Sequence, residues 1–337
     1  MSNFTRRGAL GLAGGAAVLP MLGTPALANT KLTVGALRFT SHAASFVAFE
    51  RGYFADEGLD VEFKFFQAAQ PMAVAIASGD ADYAVTAISG GLVSLAEKGA
   101  TKVIGGALSE EQGIDGQLIL ASNAAYEAGL TSPAALGGKS FAVTQAGSSF
   151  HYMGSKIAGA EGVEVSFKPL QKVGAIIGAL KSGQVDAWSI VPHIAKALAG
   201  GGAVQVIGSV ADYIPDYQVT TVFTSAANAA NERAQTEAFL RAFSRGADDF
   251  NAALVDKTAG DEAAEEMVKL IHKYVYTDRE YAKAAPSIRN GAMRINKDAA
   301  LNMGSVNDQL GWFKSEGLIK DTITTEMLVD PSYVQMI

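Results

Sequence analysis

The chain has 337 residues, 49% apolar and 18% charged, which suffices for a large buried core over about two domains and excludes a disordered tail or a coiled coil. The formal net charge is −7, from 27 basic and 34 acidic side chains, with no Lys/Arg run after residue 7; this balance argues against nucleic acid and against a polybasic membrane patch. There is no cysteine, so thiol catalysis, disulfides and cysteine-ligated zinc or iron–sulfur centres are excluded.

Residues 1–28 read as an export signal. Thr5-Arg6-Arg7 supplies a positive start, a mild apolar stretch runs from Gly8 to Leu22, and Ala26-Leu27-Ala28 gives the small-x-small pattern a signal peptidase accepts. The paired arginines and weak hydrophobicity are similar to a twin-arginine signal, with Ala9 where such signals usually carry Phe; an ordinary secretory signal is the alternative. The stretch is too short for a membrane helix, and no later apolar run reaches membrane length. A soluble mature chain is expected.

Beyond residue 28, short β-branched runs alternate with helical patterns. Strands are predicted at Leu32–Leu37, Val61–Phe66, Tyr83–Ile88, Lys102–Leu108, Ser140–Thr144, Val165–Pro169, Ala187–Val191 and Ala203–Gly208. Helices are predicted at Ala43–Phe54, Pro71–Ser78, Gly91–Lys98, Tyr152–Ala160, Gly174–Lys181 and His193–Leu198. Such alternation predicts parallel sheets with right-handed crossovers. From about Asn231 the pattern becomes helical, over Ala234–Leu254, Asp261–Tyr274, Asp278–Ser287 and Asp298–Ser315. A short repeat links the two halves: Ile76-Ala77-Ser78-Gly79-Asp80-Ala81-Asp82 recurs as Leu180-Lys181-Ser182-Gly183-Gln184-Val185-Asp186. In each copy a helix closes at Ser-Gly and a strand starts near the Asp. Two similar α/β lobes follow, with extended segments at 117–123 and 218–224 crossing between them. The expected division is 29–118 plus 222–337 for a discontinuous lobe one, and 119–221 for lobe two.

Glu50-Arg51-Gly52-Tyr53-Phe54-Ala55-Asp56-Glu57-Gly58-Leu59-Asp60-Val61 resembles a signature of the periplasmic solute-binding proteins of ABC importers, in the branch that binds nitrate, taurine, alkanesulfonates and thiamine-pyrimidine precursors. Ala134–Val143 with Gly147-Ser148-Ser149 is similar to that family's second-lobe segment. Glu316–Lys320 and Leu328–Ser332 are similar to its closing segment. The resemblance covers essentially the whole mature chain. It implies an α/β, two-lobed periplasmic binding protein fold (type II), with two parallel-core sheets flanked by helices and a cleft between lobes that close on a solute. It also implies a membrane permease and an ATPase as partners, a periplasmic location, no cofactor and no enzymatic activity. A monomer is expected.

No catalytic motif competes with this reading. Gly138-Lys139-Ser140 fails as a phosphate loop because Pro133 stands where the leading Gly is required and a strand follows. No Gly-x-Ser-x-Gly elbow, His-Glu-x-x-His pair or calcium-loop spacing occurs. Ligands of open α/β sheets sit at the C-terminal ends of parallel strands. The candidate ligand-binding residues are therefore Arg38, Thr40, Ser41, His42, Gln67, Ser89 and Gly90 in lobe one, and Ser148, Ser149, His151, Tyr152, Trp188 and His193 in lobe two. Helix starts at Ser89-Gly90 and Ser148-Ser149 face each other in this reading and suit an anion. Arg38 suits a carboxylate or sulfonate, and Trp188 is expected to form a cleft wall with Trp312 as a silent reference. No Asp or Glu shares the histidine loops, so no metal site is expected. The expected function is capture of a small organic anion, of sulfonate or aromatic carboxylate type, for an ABC importer. An uncharged pyrimidine-type vitamin precursor as ligand, or a role as ligand-sensing partner of a membrane receptor, are the alternatives.

Overall fold

The computed structural model describes residues 30–337; the export-signal reading of 1–28 lies outside the described residues. Ten strands are present among them: β1 (Thr30–Ala36), β2 (Leu59–Phe65), β3 (Tyr83–Thr86), β4 (Thr101–Gly106), β5 (Leu118–Ser122), β6 (Ser140–Val143), β7 (Ser166–Pro169), β8 (Ala187–Ile190), β9 (Val204–Ser209) and β10 (Thr221–Ser225). They form two five-stranded sheets, ordered β2-β1-β3-β10-β4 and β7-β6-β8-β5-β9. Helices flank both sheets in a two-lobed α/β fold. The longer ones are α1 (Ala43–Glu50), α2 (Ala69–Ser78), α3 (Gly90–Glu97), α4 (Ser149–Glu161), α5 (Val173–Lys181), α6 (Pro192–Gly200), α7 (Arg233–Phe250), α8 (Gly260–His272), α9 (Tyr281–Arg289) and α10 (Met303–Ser315).

The two sheets share one plan. The first three strands of each order run parallel, and a fourth, β10 or β5, is inserted antiparallel before the outermost strand. The parallel-core reading holds, and each sheet adds one antiparallel strand to that core. β5 and β10 arrive through the extended crossings between the sheets, not over a helical crossover, so they enter from the opposite end. Both inserted strands shift register against their outer neighbour, at Val222/Phe223 and at Ile119/Leu120.

The Ser-Gly repeat now has a physical account. Gly79 and Gly183 take φ of +80° and +74°, a backbone that favours glycine and turns the chain from helix to strand. Three residues later the Asp side chain clips the adjacent strand. Asp82 Oδ2 accepts from the Thr33 amide at 2.7 Å, and Asp186 Oδ2 accepts from the Ser140 amide at 2.7 Å. The same device thus pins β1 to β3 and β6 to β8.

The predicted helix Ala43–Phe54 is broken at Gly52, where φ is +75°, and resumes over Tyr53–Asp56. That signature segment is a docking surface for α7. Phe54 stacks on Phe239 at 5.3 Å, Tyr53 Oη donates to Asp249, and Glu57 and Asp56 pair with Arg241 and Arg245. Gly246 lets α7 cross directly over α1, because a Cβ there would collide with the carbonyl of Ala44. The predicted helix Asp298–Ser315 starts only at Met303; Asp298 and Ala299 have φ of +53° and +50°, which ends any helix. No helix among the described residues is long and apolar enough to cross a membrane.

Candidate functional site

Between the lobes lies an inner cavity of about 60 Å3, enough for a few water-sized groups. Lobe one contributes Ser41, His42 and Thr86, lobe two contributes Thr144, Ser148 and Ser149, and the crossings contribute Gln117 and Thr220. Leu37, Phe39, Phe150, Val173, Ile190 and Val191 supply apolar wall. No charged side chain among the described residues lines it.

His42 dominates the polar wall. It is 1% exposed, and both its ring nitrogens lack a hydrogen-bond partner. Burial pushes its pKa down to about 3, so the ring is neutral, with one donor and one acceptor nitrogen. Such a pair is costly to leave unmade. Gln117 repeats the pattern: its amide N–H donates to Glu110 Oε1 at 3.0 Å while its side-chain Nε2 stays buried without an acceptor. Ser148 caps α4, accepting from the His151 amide at 3.4 Å, and leaves the adjoining Ser149 hydroxyl half-buried at the cavity. The first turn of α4 also leaves the amides of Ser149 and Phe150 without intrahelical acceptors.

The remaining candidates fall elsewhere. Ser89 is a cap of α3, accepting from Leu92, and Gly90 donates its amide to the Gly147 carbonyl at 2.9 Å. The two helix starts therefore grip each other and form no anion cradle between them. Gln67 is exposed outside the cavity. Thr40 meets His193 Nδ1 at 2.8 Å, an inter-lobe hydrogen bond. His193 is buried, and its pKa is lowered to about 3 by desolvation and then by His42. His151 accepts from the Gly147 amide at 3.1 Å and packs on Phe167, while Tyr152 donates to Asp308 across the cleft. Trp188 is fully buried in lobe two, one layer behind the wall, edge-on to Phe150 at 5.4 Å. It does not line the cavity, so the cleft-wall expectation is corrected: its strand position β8 faces the lobe core. Arg38 is also absent from the inner cavity; it lies over Phe65 at 3.8 Å and donates to the Tyr274 carbonyl at 3.1 Å.

Thr86, Thr144, Gln117 and Thr220 were not among the expected site residues. The first two end β3 and the strand run of β6, where the strand-end rule points. The others lie on the crossings, which carry no such signal.

The lobes meet along the whole cleft. Gln145 Nε2 donates to Gln70 Oε1, Lys156 pairs with Asp308 at 3.0 Å, and Lys196 donates to the Asn290 carbonyl at 2.7 Å. At Gly291 a Cβ would collide with the backbone of His193. This is a closed arrangement.

Residues 39–253 match the family model described as NMT1/THI5 like, and the chain belongs to that family. A search of curated protein sequences returns no match. Solved structures give the fold. The alkanesulfonate-binding protein SsuA from Xanthomonas axonopodis pv. citri, bound to MOPS, is 14% identical, with TM-score 0.69 over 91% of this chain and 99% of that one. The periplasmic nitrate-binding protein NrtA from Synechocystis PCC 6803 is 14% identical, with TM-score 0.67 over 88% of this chain and 84% of that one. A ligand-binding component of an ABC-type import system from Staphylococcus aureus, with zinc bound, is 13% identical, with TM-score 0.69 over 90% and 97%. These likenesses bear out the resemblance read from the sequence to this branch of binding proteins.

Proposed function

We propose that the protein is the solute-binding component of an ABC importer, exported to the periplasm by residues 1–28, with lobes 29–118 plus 222–337 and 119–221 closing on a small molecule. The reading assigns binding and no chemical step. One observation carries its ligand: an inter-lobe cavity whose wall holds a neutral His42 with both ring nitrogens unpartnered and no charged side chain. The buried part of the solute is then an uncharged, planar group with a donor and an acceptor, which favours the pyrimidine-type alternative. A compact organic anion held wholly inside would rest on the α4 amides alone, and burying an unpaired carboxylate or sulfonate is expensive.

A thermal-shift screen tests this with uncharged pyrimidines, taurine, benzoate and nitrate. The expected outcome is stabilisation by a pyrimidine, about 2.7 kcal/mol at 100 times its Kd, and none by taurine or nitrate. Stabilisation by taurine or nitrate alone sinks the uncharged reading. Stimulation of a reconstituted permease–ATPase by the loaded protein separates import from a sensing role.

A further inference from the structure

Beside the inner cavity lies a second one of about 250 Å3, walled by Phe39, His193 and Tyr276 and ringed by Arg38, Lys181 and Arg279. No Asp or Glu among the described residues lines it. The three cations come from the loop after β1, the end of α5 and the turn between α8 and α9, so both lobes contribute. Like charges gathered round an apolar hollow repel one another, and an anion among them relieves that repulsion. Arg38 spends one N–H on the Tyr274 carbonyl and retains the rest of its donor fork; Arg279 lies 4.4 Å over the Tyr276 ring.

The turn that carries Arg279 is held in place at a cost. Tyr276 has φ of +59°, a strained backbone for an aromatic residue, and its hydroxyl donates across the cleft to the His193 carbonyl at 3.0 Å. The two cavities share Phe39 and Val173. The Phe39 ring stands between the two histidines, 6.3 Å from that of His42 and 5.5 Å from that of His193. It is the partition between a neutral compartment and a cationic one.

We infer that the solute spans both compartments: an uncharged planar group inside and, on an arm passing Phe39, an oxyanion received by Arg38, Lys181 and Arg279. The inference rests on the reading of the inner cavity given above and adds the charge and the length of the ligand. On this inference the solute can be anionic although the inner wall holds no cation, and a compact anion, which cannot reach both compartments, is expected to bind weakly. Guanidinium groups favour carboxylate, sulfonate and phosphate alike.

The test uses the whole mature protein and calorimetry. The probes are pyrimidines bearing ω-carboxyalkyl arms of one to five methylenes, each beside its primary amide, with inorganic sulfate as an anion-only probe. The expected result is a carboxylate that binds at least about tenfold tighter than its amide at one arm length, an advantage that shrinks as salt rises. In Lys181→Met and Arg279→Gln the carboxylate-to-amide ratio falls toward one, and Arg279→Lys retains most of it. Equal binding of carboxylate and amide at every length overturns the inference, as does a ratio that survives both neutralising variants. If the bare ring and all amides fail to bind while sulfate still shifts the Arg279 side-chain resonance, the outer site stands and the inner-cavity reading falls. If neither rings nor sulfate bind, both fall.

Discussion

The amide of Gly90 donates to the carbonyl of Gly147 at 2.9 Å, and this hydrogen bond crosses from the first turn of a lobe-one helix to the loop before a lobe-two helix. It is a backbone clasp on the closed form. Gly90 is the first residue of α3 and follows an extended Ser89 at φ −135°, ψ 156°, so proline fits there without disturbing the helix. Gly90→Pro deletes the donor and, because the ring Cδ takes the place of the amide hydrogen, sets a carbon against the Gly147 carbonyl in the closed form. It is expected to weaken solute binding by at least about fivefold, the worth of the lost hydrogen bond before the clash is added, and to shift small-angle scattering toward a larger radius of gyration. Gly90→Ala, which keeps the N–H, should behave as the parent; if both substitutions act alike, the clasp is not what holds the lobes.

Ser148 and Ser149 divide two tasks between neighbours. Ser148 caps α4, whereas Ser149 fronts the cavity and caps nothing. Ser149→Leu should fill the cavity and cost at least about tenfold in affinity, ~1.4 kcal/mol, with little change in the urea midpoint. Ser148→Ala should cost about 1 kcal/mol of stability instead. Reversed effects would show that the roles are exchanged.

The two tryptophans make a third prediction, opposite to the sequence-based expectation. Trp188 is enclosed within lobe two, while Trp312 on α10 of lobe one lies 5.1 Å from the His151 ring and 5.3 Å from the Tyr152 ring of lobe two. Closure therefore changes the surroundings of Trp312. Ligand-dependent fluorescence should vanish in Trp312→Phe and persist in Trp188→Phe. Trp188→Ala should lower stability by about 3–5 kcal/mol as a core truncation.

The crossing segment holds a carboxyl with unusual pH behaviour. Glu110 is 4% exposed, with Oε2 unpartnered, and burial raises its pKa to about 7 even though the backbone N–H of Gln117, donated to Oε1, pulls it down. Tyr217, whose hydroxyl is also unpartnered, is the titratable neighbour. The folded chain thus keeps a proton that the unfolded chain releases above about pH 4.5. The contribution of Glu110 to stability falls as pH rises from 4.5 to 7 and is level beyond it, by about 3 kcal/mol in all. His42 and His193, held neutral near a pKa of 3, act the other way: their contribution is present above pH 6.5 and is lost as pH falls toward 3. Glu110→Gln should stabilise the protein at pH 8 and leave it unchanged at pH 4. Urea midpoints across that range with the same slope in both proteins would rule this out.

The two-lobed α/β plan could be read from the chain because it rests on local signals: Ser-Gly helix ends and strand periodicity. Strand direction could not, since a five-residue run such as Thr221–Ser225 reads the same from either end. Arg38 was expected at the inner site and lies outside that cavity, because a cation at a strand end has a long reach and its seat on Phe65 is a tertiary fact. The convergence of Lys181 and Arg279 on one hollow has no sequence signal for a related reason. Lys181 at a helix end and Arg279 in a turn each look like an ordinary surface charge, and only folding brings them to one hollow. Trp188 was misjudged because burial of a whole aromatic ring leaves no trace in sequence spacing.

The antiparallel insertion of β10 sets an order in which the strands can become available as the chain is made. Thr221 Oγ1 bonds to the carbonyl of Thr86, 135 residues earlier in the chain. Until that strand arrives, β3 and β4 flank an empty slot, and each presents a bare edge that invites association with other chains. Lobe two faces no such wait, because its five strands are complete by Ser209. The lobe begun first is therefore finished last, templated on a neighbour already formed. A chaperone that shields this protein during biogenesis has one place above all to cover: the gap between Tyr83–Thr86 and Thr101–Gly106.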